Sequence, residues 1–435
     1  MLQFFKHINK KALSKLTQLD NLIVMIKVMS GIIISKMVAV FIGVEGMSLI
    51  ANLRDFTSII HSSSILGAYK GVVRVISKLK KDTLNLSRTI STAFYFGFIS
   101  TFLLCFVCYY NASVINDLLF SSFYNYDYVI KALAIALPFY ALNMFCLSIM
   151  NGFSKYKNLL IINVIGQVLG VLISLVLIYQ NHIDGALLSI VIVPSLVFLI
   201  TYVGLVNQKS FWRIIKISNV NYQTLKQLSP YGLITLVTAI FLPLVSILIR
   251  SYIIEKVGIK EAGYWEATNR ISKYYLLLVI SLISIYILPK FRKIGDDQKV
   301  FKKEVFKYYK QLIPVLAISL ACIYLFRTVI IKFVFTEEFL PAKDLFFWQL
   351  LGDFMKVISL VIAYQFIAKK MFAHFIVIEL FLGVILYFTS IYFIDIYGVE
   401  GAVIAHFVSY IMHYGIVILI FDSSIFGVIS DDLNV

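Results

Sequence analysis

The chain has 435 residues, of which 60% are hydrophobic and 14% charged, and its mean hydropathy is +0.89. No soluble core of this length needs so apolar a composition, so the sequence excludes a soluble globular protein and describes an all-α integral membrane protein. The formal net charge of +16 does not indicate nucleic acid, because the basic residues gather in alternate loops between apolar segments, where they set membrane topology.

The first twenty residues, MLQFFKHINKKALSKLTQLD, are basic and amphipathic and read as a cytoplasmic surface segment, 1–20. The apolar run behind them is long enough to span a bilayer rather than to be a clipped signal. Twelve apolar segments follow, at 21–43, 47–67, 88–110, 128–151, 157–180, 185–206, 229–254, 263–289, 308–331, 343–368, 372–394 and 399–421. With a cytoplasmic N-terminus, the basic loops fall on the cytoplasmic side, while the opposite loops hold only Lys256, Lys260, Lys332 and Lys343. That bias places both termini in the cytoplasm. Cys105, Cys108, Cys146 and Cys322 all fall within spans and read as small packing residues, since no basic neighbour activates the C-x-x-C.

Three turns share a pattern: GVEG at 43–46, HIDG at 182–185 and GVEG at 398–401, with IKEAG at 259–263 as a looser fourth. An acid at a helix N-terminus complements the dipole and a glycine lets the turn close. The pairs Glu45/Glu261, Ala51/Ala267, Arg54/Arg270, Asp184/Glu400, Gly185/Gly401 and Ala186/Ala402 all keep one sequence offset, close to half the chain. The expected architecture is therefore two six-helix bundles related by a pseudo-twofold axis along the membrane normal, meeting along a central cavity. Their expected limits are 21–206 and 229–421, with a cytoplasmic linker at 207–228 and a cytoplasmic tail at 422–435.

Charges inside apolar segments are costly, about 2.5 to 3.5 kcal/mol each on insertion scales, and so mark partners or wet surfaces. Arg54 and Arg270 stand at the same depth on repeat-related segments and are the candidates for gripping an anion, because the planar guanidinium suits bidentate phosphate recognition. Arg250, Lys356 and Lys36 are further candidate donors. Asp353, Asp55 and Glu266 are the candidate gating or coupling acids. The structural alternative is a set of salt bridges, Glu266 with Arg270 at i,i+4 and Arg54 beside Asp55, that locks packing. Asp353 and Lys356, three apart, form either a neutralising staple or a gate. His406 and His413, seven apart on one helix face, read as packed or cavity-lining residues rather than metal ligands. No catalytic residue, metal or cofactor is expected: there is no G-x-x-x-x-G-K-[ST] phosphate loop, and the outer loops, 111–127 the longest, are too short for a catalytic domain.

The stretch DLFFWQLLGDFMKVISLVIAYQFIAK, 344–369, resembles the Wzx-type polysaccharide flippases of the multidrug/oligosaccharidyl-lipid/polysaccharide exporter superfamily, the lipid III and O-antigen flippases among them. ANLR at 51–54, NGF at 151–153, DGALLS at 184–189, LSPYGLITLVTAIFLPLVSILIR at 228–250, GYWEATNRIS at 263–272 and ILPKF at 287–291 extend the likeness. The resemblance implies twelve helices in two bundles and translocation of an undecaprenyl-pyrophosphate-linked oligosaccharide from the cytoplasmic to the periplasmic leaflet of the inner membrane. Arg54, Asp353 and Lys356 match its motifs. Glu266, Arg270 and Lys273 stand where the lipid III flippase is more neutral or acidic, which favours an O-antigen unit as substrate. The expected functional unit is a monomer in membrane lipid, with a polysaccharide polymerase and a chain-length regulator as candidate partners and no nucleic acid. The rival readings are a cation-coupled multidrug exporter and a membrane polysaccharide polymerase.

Overall fold

The computed structural model describes residues 13–67, 69–79, 82–120, 124–205, 215–294, 298–369 and 371–422. Among these there is no strand. Ten helices are long and apolar enough to cross a membrane, and the chain divides into two compact units, 1–244 and 245–435.

In the first unit, α1 (Leu13–Phe41) and α2 (Gly43–Ser64) form a hairpin. The surface segment expected at 1–20 lies outside the described residues up to residue 12, and from Leu13 it continues into α1 without a break. Helix α3 (Tyr69–Lys78) occupies what reads in the sequence as a loop. It is too short to span, but it buries Val72 and Ile76, four apart, and carries Lys70, Arg74 and Lys78 at the complementary spacing. Asp82 caps α4 (Thr83–Tyr110) by accepting from the Asn85 backbone N–H at 3.1 Å. That bond holds its carboxyl below the usual range.

The outer loop expected at 111–127 contains a further helix, α5 (Ala112–Phe120). Asn52 of α2 donates to the Leu119 carbonyl at 2.8 Å. Asn116 closes the following turn by donating to the Tyr124 carbonyl and accepting from the Tyr126 N–H. Helices α6 (Asp127–Gly152) and α7 (Tyr156–Leu205) complete this half. The linker expected at 207–228 lies outside the described residues up to residue 214. Its described part runs along α4, with the N–H groups of Lys216 and Asn221 donating to Ser91 and Thr92 at 3.0 Å each, and α8 (Tyr222–Lys256) begins from there.

The second unit takes the end of α8 together with α9 (Ile259–Ile294), α10 (Gln298–Leu325), α11 (Arg327–Val334), a 3-10 turn at Glu337–Leu345, α12 (Phe346–Ala368), α13 (Phe372–Tyr397) and α14 (Val399–Asp422). The tail expected at 422–435 lies outside the described residues from 423 onward.

Helix α7 is the element that composition alone misjudges. Its 50 residues comprise two helices that meet at a kink, where His182, with φ 46° and ψ −117°, breaks the helix in the HIDG turn. A Cβ placed on Gly185 would overlap the carbonyl oxygen of Leu177. In a straight helix those residues would stand about 12 Å apart, so the chain reverses there. The same approach recurs in the other unit, where a Cβ on Gly401 would overlap the carbonyl oxygen of Phe393 across the α13–α14 turn. The acids beside these glycines also match: Asp184 accepts from the Tyr128 hydroxyl of α6, and Glu400 accepts from the Trp348 indole of α12 at 3.2 Å. Gly185→Ala and Gly401→Ala are each expected to cost about 1–3 kcal/mol through overpacking against backbone. Both variants should melt below the wild type in detergent, and a melting point unchanged in either would remove the close approach from the account.

Candidate functional site

The charged residues of the second unit form two clusters. In the first, Glu266 of α9 is 1% exposed and bonds two arginines that are themselves buried. Its Oε2 accepts from Arg250 Nη2 at 2.9 Å, and its Oε1 lies 3.7 Å from Arg270 Nε. Arg250 also stacks over Trp265, 5.5 Å from the ring centroid. The i,i+4 pair expected from the sequence is present, but the tighter bond runs to α8. One carboxylate thus stands between two guanidiniums, and the three buried side chains hold one another across α8 and α9.

The second cluster lies on α12. Gln349, Gly352, Asp353 and Lys356 recur at three- and four-residue spacing and so share one face. Asp353 is 1% exposed. Its Oδ2 accepts from the hydroxyls of Ser272 and Tyr275 on α9, and its Oδ1 lies 3.0 Å from His406 Nε2 on α14. Gln349 adds longer contacts at 3.5 Å. Asp353 therefore makes its closest contact with a basic side chain at His406, while Lys356 sits over the ring of Tyr410, 5.2 Å from its centroid. Tyr410 packs edge-on against His406 and His413, and His413 Nδ1 is 2.6 Å from Ser359 Oγ. The two histidines thus line one polar seam between α12 and α14.

Gly352 makes the seam possible. A Cβ there would overlap the imidazole of His406, so α14 can bring His406 to Asp353 only past a glycine. Gly352→Ala is expected to push His406 away from Asp353 and to cost about 1–3 kcal/mol through overpacking. Melting of the purified protein in detergent checks this, and an unchanged melting point would show that the contact is dispensable.

Lys36 of α1 and the adjacent Arg54 and Asp55 of α2 belong to the first unit, and all three are half-buried. Lys273 is exposed. Sequence reasoning missed Ser272, Tyr275, Gln349 and Tyr410, and read His406 as packed or cavity-lining without a partner assigned to it. A signal for His406 was present in its seven-residue spacing to His413, and for Gln349 in its four-residue spacing to Asp353. The donors on α9 carry no local pattern. Among the described residues no three His, Cys, Asp or Glu side chains gather as a metal site.

Residues 49–344 match the family described as polysaccharide biosynthesis protein. The chain is 26% identical over 398 residues to the lipid III flippase of Escherichia coli (strain K12), covering 90% of this chain and 94% of that protein. Identity and coverage are the same for the lipid III flippase of Shigella flexneri. Among solved structures, the fold is similar to an inward-facing multidrug resistance MATE family transporter of the MOP superfamily, with a TM-score of 0.77 at 14% identity over 92% of this chain and 94% of that one. It is also similar to the lipid II flippase MurJ in an inward closed conformation, with a TM-score of 0.70 at 15% identity over 93% and 87% of the two chains. At those identities the likeness speaks to fold alone. The family match covers more than half of the sequence and agrees with the resemblance carried by the 344–369 stretch: this chain belongs to the polysaccharide biosynthesis protein family.

Proposed function

We propose that this protein is a flippase that moves an oligosaccharide, linked through pyrophosphate to a polyprenyl lipid, from the cytoplasmic to the periplasmic leaflet of the bacterial inner membrane. The observation that carries this reading is the match to the lipid III flippases along 90% of the chain. A translocase rather than an enzyme also accords with buried charges on membrane helices and the absence of a large outer loop. The polyprenyl tail can stay in lipid, whereas the glycan and pyrophosphate need a polar route.

In this reading the chain crosses the membrane twelve times, α7 contributing two spans through the HIDG reversal and α2 one, with both termini cytoplasmic. The matched contacts at Gly185 and Gly401, and at Asp184 and Glu400, support two six-helix repeats, 21–206 and 229–421, joined by 207–228. Arg54, Arg250, Arg270, Lys356 and Lys36 attract the anionic head. Asp353, Asp55 and Glu266 hold those cations until substrate or a proton arrives. His406 of α14 gives Asp353 of α12 a partner on another helix, so that the seam can couple release of that contact to helix movement. An O-antigen unit is the favoured cargo, and a polysaccharide polymerase and chain-length regulator are natural neighbours for a monomeric carrier.

Arg54→Lys is expected to lower export about tenfold without changing protein level, because a point charge loses one charge-assisted hydrogen bond worth ~1.5 kcal/mol. Surface-glycan blots at matched expression measure this, and full export would take Arg54 out of the substrate path.

A multidrug exporter is the second reading, favoured by the MATE likeness, but its usual lipophilic cations would be repelled by this set of basic residues. Deleting the gene in its host separates the two. Loss of a surface polysaccharide with accumulation of its lipid-linked precursor is the expected result. An unchanged surface with heightened sensitivity to ethidium would overturn it.

A further inference from the structure

Apart from both charged clusters, the first unit contains a shallow apolar cleft, partly open to the surroundings, bounded by the end of α2, α3, α4 and α6. We propose that this cleft seats one hydrocarbon chain of an anionic membrane phospholipid, whose headgroup lies against the basic residues of α3 and the start of α4.

The lining is apolar for a specific reason. Its three hydroxyls are engaged by the protein: Thr101 Oγ1 donates to the carbonyl of Gly97 or Ser64, Ser148 Oγ donates to that of Phe145, and Tyr69 Oη accepts from the Asn151 side-chain amide at 3.1 Å. What remains facing the space is hydrocarbon and aromatic ring, with Phe94 packed on Phe98 and Phe145 at centroid distances of 6.0 and 5.1 Å. Such a space offers water no partners and is filled best by an alkyl chain. Its wall continues into the exposed apolar face of α4, where Phe98, Phe102 and Phe106 lie outward, so a chain can enter sideways from the bilayer. Below it, Val72, Ile76, Ile90, Cys146 and Met150 form a closed core that fixes the floor.

Charge selects the occupant. Tyr69 and Val72 of α3 line the cleft, and Arg74 is two residues further along the same short amphipathic helix. Arg88 precedes the cleft residues Ala93 and Phe94 by one to two turns of α4, and Lys157 opens α7 just beyond the end of α6, where Gly152 touches Ile76 of α3. An amphipathic helix bearing Lys and Arg beside an apolar slot is the arrangement that holds an acidic headgroup at the membrane surface. The nearby carboxylate, Asp82, caps α4 and also attracts Arg88, which holds that guanidinium at the start of the helix.

Gly97 supplies the test, because a Cβ built there meets nothing within 4 Å, so a larger side chain enters the cleft without displacing the fold. The purified protein is placed in phosphatidylcholine vesicles doped with either phosphatidylglycerol or phosphatidylcholine carrying a photoreactive group on one acyl chain, and the labelled peptides are mapped. The expected result is labelling of the 94–101 and 138–148 segments that is several-fold stronger with the phosphatidylglycerol probe. Gly97→Trp should reduce that labelling several-fold, Gly97→Ala should leave it, and Arg74→Gln with Arg88→Gln should equalise the two probes. Equal labelling by both probes in the wild type, or labelling indifferent to Gly97→Trp, overturns the proposal. So does displacement of the phosphatidylglycerol probe by polyprenyl phosphate at equal concentration, which would assign the cleft to an isoprenoid chain. If the Trp variant does not accumulate, Gly97→Leu takes its place, and the comparison of probes in the wild type decides by itself.

Discussion

Glu266→Leu is expected to keep the protein from accumulating in the membrane. Arg250 and Arg270 are 1% and 3% exposed, and Glu266 lies between them with contacts of 2.9 and 3.7 Å. Removing the carboxylate leaves two buried positive charges side by side without the negative charge they share. Breaking a buried ion pair costs about 3–5 kcal/mol, a large share of the ~5–15 kcal/mol that holds a typical domain together. Glu266→Gln keeps an acceptor oxygen and should fall between the two. Immunoblots of membrane fractions and melting of the purified proteins measure the series, and a Leu variant that accumulates and melts like the wild type would mean that the arginines draw their compensation elsewhere.

The exchange Asp353→Lys with Lys356→Asp is expected to abolish transport while the protein still inserts. A simple staple needs only opposite charges three residues apart, and would survive reversal. In the structure each member of the pair also has partners on other helices. At 353 a short acceptor receives the hydroxyls of Ser272 and Tyr275 and faces His406, so a four-carbon stem ending in a cation has neither the room nor an acceptor to offer those hydroxyls. At 356 the cation lies over the Tyr410 ring, and a carboxylate would meet the negative face of that ring. Surface glycan in a flippase-null strain carrying the exchange is expected to stay at the null level. Full rescue would return the pair to a static role.

The bilayer-scale architecture was legible because hydrocarbon imposes a strong pattern: 60% apolar residues in spans separated by basic loops leave few alternatives. The HIDG reversal was legible for the same reason as its counterpart at GVEG, since an acid followed by glycine marks a tight turn. Helices α3 and α5 were not, because ten and nine residues are too few to register as apolar spans and their hydrophobic faces become meaningful only against α4, α6 and α2. The site was half legible. A charge in an apolar helix announces itself, as Glu266 and Asp353 did, but which partner it takes depends on helix packing. Asp353 and Lys356 are near in sequence, yet the partners that fix them, Ser272, His406 and Tyr410, come from two other helices. Gly352 reads in sequence only as part of a motif, and its role appears once His406 is found pressed against it.

The central claim is translocation of a pyrophosphate-linked glycolipid, and reconstitution tests it most directly. Purified protein in sealed vesicles, supplied with a fluorescent short oligosaccharide on polyprenyl pyrophosphate in one leaflet, is followed by the accessibility of the sugar to an impermeant lectin or quencher. The account predicts movement to the opposite leaflet that depends on Arg54 and Asp353 and is absent from protein-free vesicles. Vesicles in which the Arg54→Lys and Asp353→Asn proteins move the glycolipid as fast as the wild type, or in which the wild type moves none of it while exporting ethidium, would contradict it.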